Sequence, residues 1–463
     1  MIAKERAAAL FDPGTLSLDE SPGRKGFLIG QGRINHRPAY VCAIDRTESP
    51  DQTFLSFSNM NAFLERILKN PAPVVLMMDL PASHTASQKS PFPDDPEKLL
   101  ADRQGVGGWY YALARLSGKT PLVSAVFDRM GAALTFPVAL CDSVAMTSSA
   151  GMSIGRMDVV QEILKEKTDY ENLGGAAMHA KISGSADWVE TEESRVLARI
   201  KAYLSYFPDQ SGAALPQKAF AYSSNGLDTQ SFIPDHPLKI LDMDGLIATV
   251  SDDSSVLELK ERYAREMITA FASFDGHVAG IVANRSKEKG GLLFPQSCRK
   301  AARFISLCDA FGIPLVFLSD SPGFMVGSEV EQQGSIRHGA HLFQTISNAH
   351  TAILSVVVRR SYTAGVYAMA GGGMRPDRFV ALPSAIISIY GEAVARQLMT
   401  DSQDSEKLQA DQMLQAAHDP EHFLNMGMLD AVIPFDTLRQ EIIHFIRVHQ
   451  DGGRASKKPV PAI

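Results

Sequence analysis

The sequence predicts an α/β protein assembled from two related halves. Short β-branched apolar runs alternate with amphipathic stretches along the whole chain, three strand-and-turn segments recur in the same order, and a polar segment bearing Gly and Pro separates the copies.

Taken in chain order, residues 41–44, 74–78 and 123–127, then 278–282, 315–318 and 354–358, are apolar runs of strand length. Helical patterns cover 58–70 and 102–116 in the first half, and 294–311 and 335–350 in the second. Ahead of the first strand run in each half stands a polar two-residue turn, Asn35-His36 or Asp275-Gly276, as a hairpin requires. The spacing of Pro73, Asp79 and Pro81 repeats in Pro314, Asp320 and Pro322. A third pair, 122–127 with 353–358, leads into small residues in both copies: Gly131-Ala132-Ala133 and Thr363-Ala364-Gly365. The offset is about 240 residues for the first two pairs and slightly less for the third, so order is kept and duplication explains it. Two segments read as connectors. Residues 82–104, rich in Ser, Pro and charge, form a surface excursion, and 209–236 hold the boundary between domains 1–225 and 226–463.

Composition excludes several classes. The chain has 463 residues, with 45 Lys and Arg against 52 Asp and Glu, so no basic excess is available for a nucleic-acid backbone. Cys42, Cys141, Cys298 and Cys308 form no CxxC pair, which indicates neither a disulfide framework nor a structural metal, and no metal is expected. No apolar run approaches the roughly 18 residues of a membrane span, and charges occupy the N-terminus where a signal peptide is apolar. A cytoplasmic protein without membrane partners is the expectation.

A strand that stops at a small-residue turn and feeds a helix leaves backbone N–H groups directed beyond the strand, where a negative charge is favoured. Two such turns facing each other form an oxyanion hole, which a thioester carbonyl needs as it becomes an enolate. The candidates are Ser321-Pro322-Gly323-Phe324 with Thr363-Ala364-Gly365, and Leu80-Pro81-Ala82 with Gly131-Ala132-Ala133. Small residues that merely permit close helix-on-strand packing are the alternative.

Asp320, Pro322, Gly323, Phe324, Gly327, Glu331, Gly334 and Arg337-His338-Gly339-Ala340 resemble the D-x-P-G-F-x-x-G…E…G…R-H-G-A stretch of the carboxyltransferase (beta) subunits of biotin-dependent acyl-CoA carboxylases, such as propionyl-CoA carboxylase. Further ordered islands agree, among them Asn172-Leu173-Gly174-Gly175 with His179 and Ser183-Gly184, and Gly280-Ile281-Val282-Ala283-Asn284. The resemblance spans about residues 4 to 450. It implies two tandem crotonase-like (ClpP/crotonase) domains and an enzyme that moves a carboxyl group from carboxybiotin, borne on a carrier protein, to the α-carbon of an acyl-CoA. The implied partners are acyl-CoA and a biotin carboxylase/biotin carrier subunit. The implied assembly is a homo-oligomer, usually a hexamer, with active sites between the N-domain of one protomer and the C-domain of another. Backbone amides, not a side-chain base, would hold the enolate and the biotin ureido oxygen. By the resemblance the C-domain amide pair falls on Ala364 and Gly365 and the N-domain pair on Ala132 and Ala133, with the neighbours Thr363, Val366 and Gly131 open as one-residue shifts and Tyr367 lining the acyl pocket; Gly131, Gly323, Phe324, Thr363, Tyr367 and, by its charge, Arg337 are the substrate-binding candidates.

The first half departs from the family pattern. Where D-S-G-G-A-R-I-Q-E-G is usual, the chain reads Asp79-Leu80-Pro81-Ala82-Ser83-His84-Thr85-Ala86-Ser87-Gln88, and G-P-C-A-G-G-A becomes Asp128-Arg129-Met130-Gly131-Ala132-Ala133-Leu134. Two other readings follow: a biotin-independent decarboxylase of a malonyl-type thioester on CoA or a carrier protein, and a non-catalytic partner subunit. His338 is read as capping or packing, with direct catalysis the alternative, His84 as a solvated loop residue or a proton donor, and Asp79 and Asp320 as structural strand ends. Arg359 and Arg360 are open between CoA phosphates and solvent, and His179 has no assigned role.

Overall fold

The computed structural model describes residues 1–19, 27–44, 54–79, 96–155, 157–223, 229–234, 236, 238–398, 404–449 and 454–462. The chain divides into two compact units, Met1–Ala213 with Lys457–Ile463, and Ala214–Ser456. This division precedes the sequence-drawn boundary at 225, and the C-terminal segment joins the first unit instead of the second. The reason is local: the Val460 amide donates to Ser117 Oγ at 2.9 Å, and Val460 is buried.

In the first unit the strands are β1 (Ser17–Leu18), β2 (Phe27–Ile34), β3 (Arg37–Ile44), β4 (Val74–Met78), β5 (Leu122–Val126), β6 (Arg129–Gly131), β7 (Ser143–Thr147), β8 (Gly151–Ser153) and β9 (Trp188–Glu190). The main sheet runs β1-β2-β3-β4-β5-β7-β9, antiparallel as far as β3 and parallel after it, while β6 and β8 form a separate parallel ribbon. In the second unit the strands are β10 (Leu257–Glu258), β11 (Met267–Phe274), β12 (His277–Asn284), β13 (Leu315–Ser321), β14 (Ile353–Tyr362), β15 (Arg378–Ala381), β16 (Ile386–Ser388) and β17 (Ala431–Val432). Their order, β10-β11-β12-β13-β14-β15-β17, repeats the same succession of antiparallel and parallel pairs.

The repeat extends to individual bonds. Both hairpins turn through two residues of positive φ, Asn35 (51°) and His36 (64°), then Asp275 (54°) and Gly276 (79°), the geometry that matches strand twist. In each, a carboxylate from the preceding loop takes the second turn amide: His36 donates to Asp12 at 2.7 Å and Gly276 to Asp252 at 2.9 Å. The same loop returns a hydroxyl, Thr15 or Ser255, to the amide of Arg33 or Ser273. A helix precedes both loops, Ala3–Leu10 and Met243–Val250.

Strands β4 and β5 are buried along their whole length, as parallel strands covered on both faces must be. The helix Pro295–Phe311 starts with Pro in its first turn, where no N–H is missed, and Ser297 Oγ accepts from the Phe294 amide at 2.9 Å. It ends where Gly312 turns left-handed and the Ile313 amide returns to the Cys308 carbonyl. Burial of Phe304, Ile305, Leu307 and Phe311 along it contributes about 1.5–3 kcal/mol each. The helix expected over 102–116 begins at Val106, and a separate helix, Pro96–Ala101, lies within the expected excursion. Asn61 holds the break, donating to the carbonyls of Gln104 (2.8 Å) and Gly105 (2.9 Å). The helix expected to reach 350 stops at Ser347, where the Asn348 side chain donates back to the Gln344 carbonyl.

Candidate functional site

In the second unit the adjacent parallel strands β13 and β14 end in turns that touch. Gly323 has φ 107°, and a Cβ there would stand 2.6 Å from Thr363 Oγ1; a Cβ on Gly365 would stand 3.0 Å from the Gly323 Cα. Only glycine fits this contact. Thr363 takes φ 51°, a left-handed conformation that costs a β-branched residue about 1–3 kcal/mol. Its amide, donated to the Ser388 carbonyl on β16 at 3.0 Å, helps keep it there. The carbonyls of Ala364 and Gly365 accept from Ala368 and Met369, so the N–H groups of Ala364 and Gly365 face the opposite way, and among the described residues neither meets a backbone acceptor.

An aromatic row borders these amides. Phe324 meets Phe343 edge-on at 6.1 Å, and Phe343 meets Tyr367 at 6.4 Å and 90°. Tyr367 is 47% exposed. Phe343 escaped the sequence reading; its signal was a position four residues after Gly339, which itself lies against the Phe324 ring. Arg337 sits on the same helix, Ser335–Ser347, two residues before Gly339 and hence about 200° away around the axis. It is exposed and off the face that meets Phe324. His338 is half-buried, and burial together with the charges of Arg299 and the neighbouring His341 lowers its pKa, so its ring is neutral at pH 7.

Arg359 is buried and Arg360 half-buried, and both guanidinium groups are engaged within the chain. Both pair with the fully buried Asp320, each at 2.8 Å, and Arg359 also donates to the Lys239 carbonyl. Burial alone would raise the Asp320 carboxyl, but the two guanidinium groups outweigh it and hold the pKa below the usual range. Asp79, the equivalent strand end in the first unit, is also buried and accepts from Arg6 at 2.5 Å; Arg6 in turn lies over the Phe127 ring and pairs with Glu193.

In the first unit the turn after β5 is built differently. Ribbon strand β6 intervenes and leads into a 3₁₀ turn, Ala132–Leu134, whose first residues, Ala132 and Ala133, have no carbonyl within the turn for their amides to meet. Tyr110 Oη donates to the Ala133 carbonyl at 2.6 Å. The proposed facing turn, Leu80-Pro81-Ala82, and His84 lie outside the described residues. The structure therefore brings Gly323, Phe324, Thr363, Ala364, Gly365 and Tyr367 into one cluster and Gly131, Ala132 and Ala133 into a second. Cys42, Cys141, Cys298 and Cys308 are all buried, and burial pushes the Cys298 thiol up to about 12. Among the described residues, no cluster of three or more His, Cys, Asp or Glu could hold a metal ion and no helix is long and apolar enough to cross a membrane.

The repeated hairpin-and-parallel sheet defines tandem crotonase-like domains. The carboxyl transferase domain matches residues 92–460, and the chain belongs to that family. It is 36% identical to the uncharacterized carboxylase YngE of Bacillus subtilis over 97% of this chain and 90% of the relative. It is 27% identical to the propionyl-CoA carboxylase beta chain of Roseobacter denitrificans (88% and 82% covered), and 27% identical to the methylmalonyl-CoA decarboxylase subunit alpha of Veillonella parvula (99% and 92%). The solved hexamer assembly of transcarboxylase 12S, with hydrolysed methylmalonyl-coenzyme A bound, has a TM-score of 0.87 at 25% identity and covers 100% of this chain and 92% of that one.

Proposed function

We propose that this chain is the carboxyltransferase component of an acyl-CoA carboxylase, moving a carboxyl group from carboxybiotin on a separate carrier protein to the α-carbon of an acyl-CoA. The observation that carries the reading is the contact between the Gly323 and Thr363–Gly365 turns, which presents the Ala364 and Gly365 amides together. Both oxygens that gain charge in this chemistry, the thioester oxygen and the biotin ureido oxygen, call for paired N–H donors, and the proposal assigns one pair to each unit: Ala364 with Gly365, and Ala132 with Ala133. The donor set thus fits biotin as well as the thioester. Bound carboxybiotin supplies the carboxyl group and a basic nitrogen for the α-proton, so no side-chain base is needed from the chain. The amides hold the enolate oxygen, a contribution of about 10²–10³ in kcat per donor in sites of this kind. Phe324, Phe343 and Tyr367 keep water from the carbanion and limit the acyl group. A hexamer that docks a biotin carboxylase/biotin carrier subunit is the expected assembly.

A second reading is supported by the kinship to a methylmalonyl-CoA decarboxylase subunit: the same amide pair also stabilises the enolate left when a malonyl-type thioester loses CO₂. Purified protein incubated with acetyl-, propionyl-, malonyl- and methylmalonyl-CoA, with and without free biotin, and analysed by mass spectrometry of the thioesters separates the two. Biotin-dependent loss of the carboxyl group from malonyl- or methylmalonyl-CoA is expected. The same loss without biotin establishes the decarboxylase, and no turnover together with no CoA binding overturns both.

A further inference from the structure

The turn bearing Ala132 and Ala133 is gripped by side chains from two directions. Tyr110, half-buried on the helix Val106–Leu116 and edge-on to Phe136 at 6.0 Å, reaches the Ala133 carbonyl with its hydroxyl. Burial raises the phenol pKa, so Tyr110 remains a donor throughout the physiological range. A peptide plane is rigid, so this bond fixes the Ala133–Leu134 plane and anchors the C-terminal side of the turn, and the Ala132 and Ala133 amides lie in the two planes just before it.

The second grip acts through the ribbon. Strand β6 pairs Met130 with Met152 and Gly131 with Ser153 on β8. His179 Nε2 lies 2.7 Å from the Met152 carbonyl, and because a carbonyl only accepts, Nε2 carries the proton. Burial lowers the imidazole pKa, so the ring is neutral and Nδ1 can accept from Ser183 Oγ at 2.9 Å. From the same block, Tyr170 Oη donates to the Met130 carbonyl at 3.4 Å, and Ala176 N–H to the Ala150 carbonyl at 3.1 Å. Gly174 lies so near that a Cβ there would stand 2.2 Å from the Met152 oxygen. The segment His179–Ser183 is a π-helical turn, a form with few intrinsic advantages that recurs at functional sites. In the second unit β14 runs directly into its turn and glycines interlock; in the first, the ribbon lies between β5 and the turn, and side chains hold it.

We infer that Tyr110 and His179 are positioning residues that hold in place the turn bearing the Ala132 and Ala133 amides, Tyr110 at the turn and His179 through the β6–β8 ribbon. Their effect on catalysis rests on the proposed role of those amides as donors to a substrate oxygen; the grip itself does not.

The test uses the full chain with Tyr110→Phe, His179→Leu and His179→Gln, and Tyr111→Phe as a control on the exposed neighbour. Hydrogen exchange followed by mass spectrometry should show amides in 128–136 exchanging several-fold faster in Y110F and H179L than in wild type, as loss of one hydrogen bond of about 1 kcal/mol requires. Amides in 122–126 should be unchanged in both, as should all amides in Y111F. H179Q, whose side-chain N–H can replace Nε2–H, should recover most of the protection. In turnover, Y110F and H179L should lose about 10–100-fold in kcat, the scale of a displaced reacting geometry, with KM values within about threefold. Unchanged exchange at 128–136 in both Y110F and H179L overturns the inference, as does an equal rise in every peptide or a failure of H179Q to recover protection. A wild-type chain that neither turns over nor binds any of the thioesters overturns the proposed function, while exchange still decides the grip.

Discussion

Gly323 and Thr363 face each other across two strand ends, and each is held in a backbone conformation its sequence neighbours do not announce. Gly323→Ala places a methyl where Thr363 Oγ1 stands 2.6 Å away, at φ 107°. The variant should fold with a loss of about 1–3 kcal/mol and lose about 10²-fold in kcat, because the adjacent amides shift by a fraction of an ångström to an ångström. Steady-state kinetics beside a denaturation curve checks this, and a variant with wild-type kcat refutes the shared geometry. Asp320 is the second residue with a defined outcome. Its folded pKa is depressed below 3.8, so its pairing with Arg359 and Arg360 contributes fully above about pH 4 and is lost as pH falls through the folded value. Asp320→Asn should therefore cost about 3–5 kcal/mol at neutral pH, with the gap to wild type closing in acid. The sequence marked Asp320 as a strand end but not its partners, since pairing depends on which side of β14 the two arginines occupy.

Among the elements, the helices and strands expected from periodicity formed close to their expected bounds. Strands 74–78 and 315–318 read correctly because parallel strands buried on both faces are apolar throughout. The misplaced starts and stops, at Val106 and Ser347, were set by the side chains of Asn61 and Asn348 reaching backbone carbonyls, which a hydrophobic pattern does not record. The ribbon β6–β8 was also invisible, being three residues long in each strand. The aromatic row links three elements, the Phe324 turn, the helix Ser335–Ser347 and the helix Gly365–Ala368. Tyr367→Ala should widen the acyl space and raise kcat/KM for longer over shorter acyl thioesters by about tenfold or more. Phe343→Ala should move the ratio the same way by freeing the Tyr367 ring. Competition between acyl-CoAs of different length measures it, and an unchanged ratio in both variants removes the row from substrate selection.

For the whole chain, the C-terminal segment belongs to the unit that the first residues build. Deleting 457–463 exposes the site of Val460, worth about 1.5–3 kcal/mol, and removes its bond to Ser117, worth about 1 kcal/mol. Both tryptophans, Trp109 and Trp188, lie in the first unit, so the urea midpoint by tryptophan fluorescence should fall in the truncated chain. Fluorescence transitions that coincide with those of the full chain would refute that contribution. Sequence by itself determined the α/β class, the duplication, the hairpins and the strand ends where small residues gather, because each is written in local periods and repeated spacings. Tertiary structure alone decided which turns meet, that Thr363 is left-handed, that Asp12 and Asp252 clamp equivalent hairpins, that Arg359 and Arg360 are consumed by Asp320, and that His179 holds a ribbon. These depend on contacts between residues distant along the chain, and the one-dimensional pattern specifies burial and period but not which distant group fills each hydrogen bond.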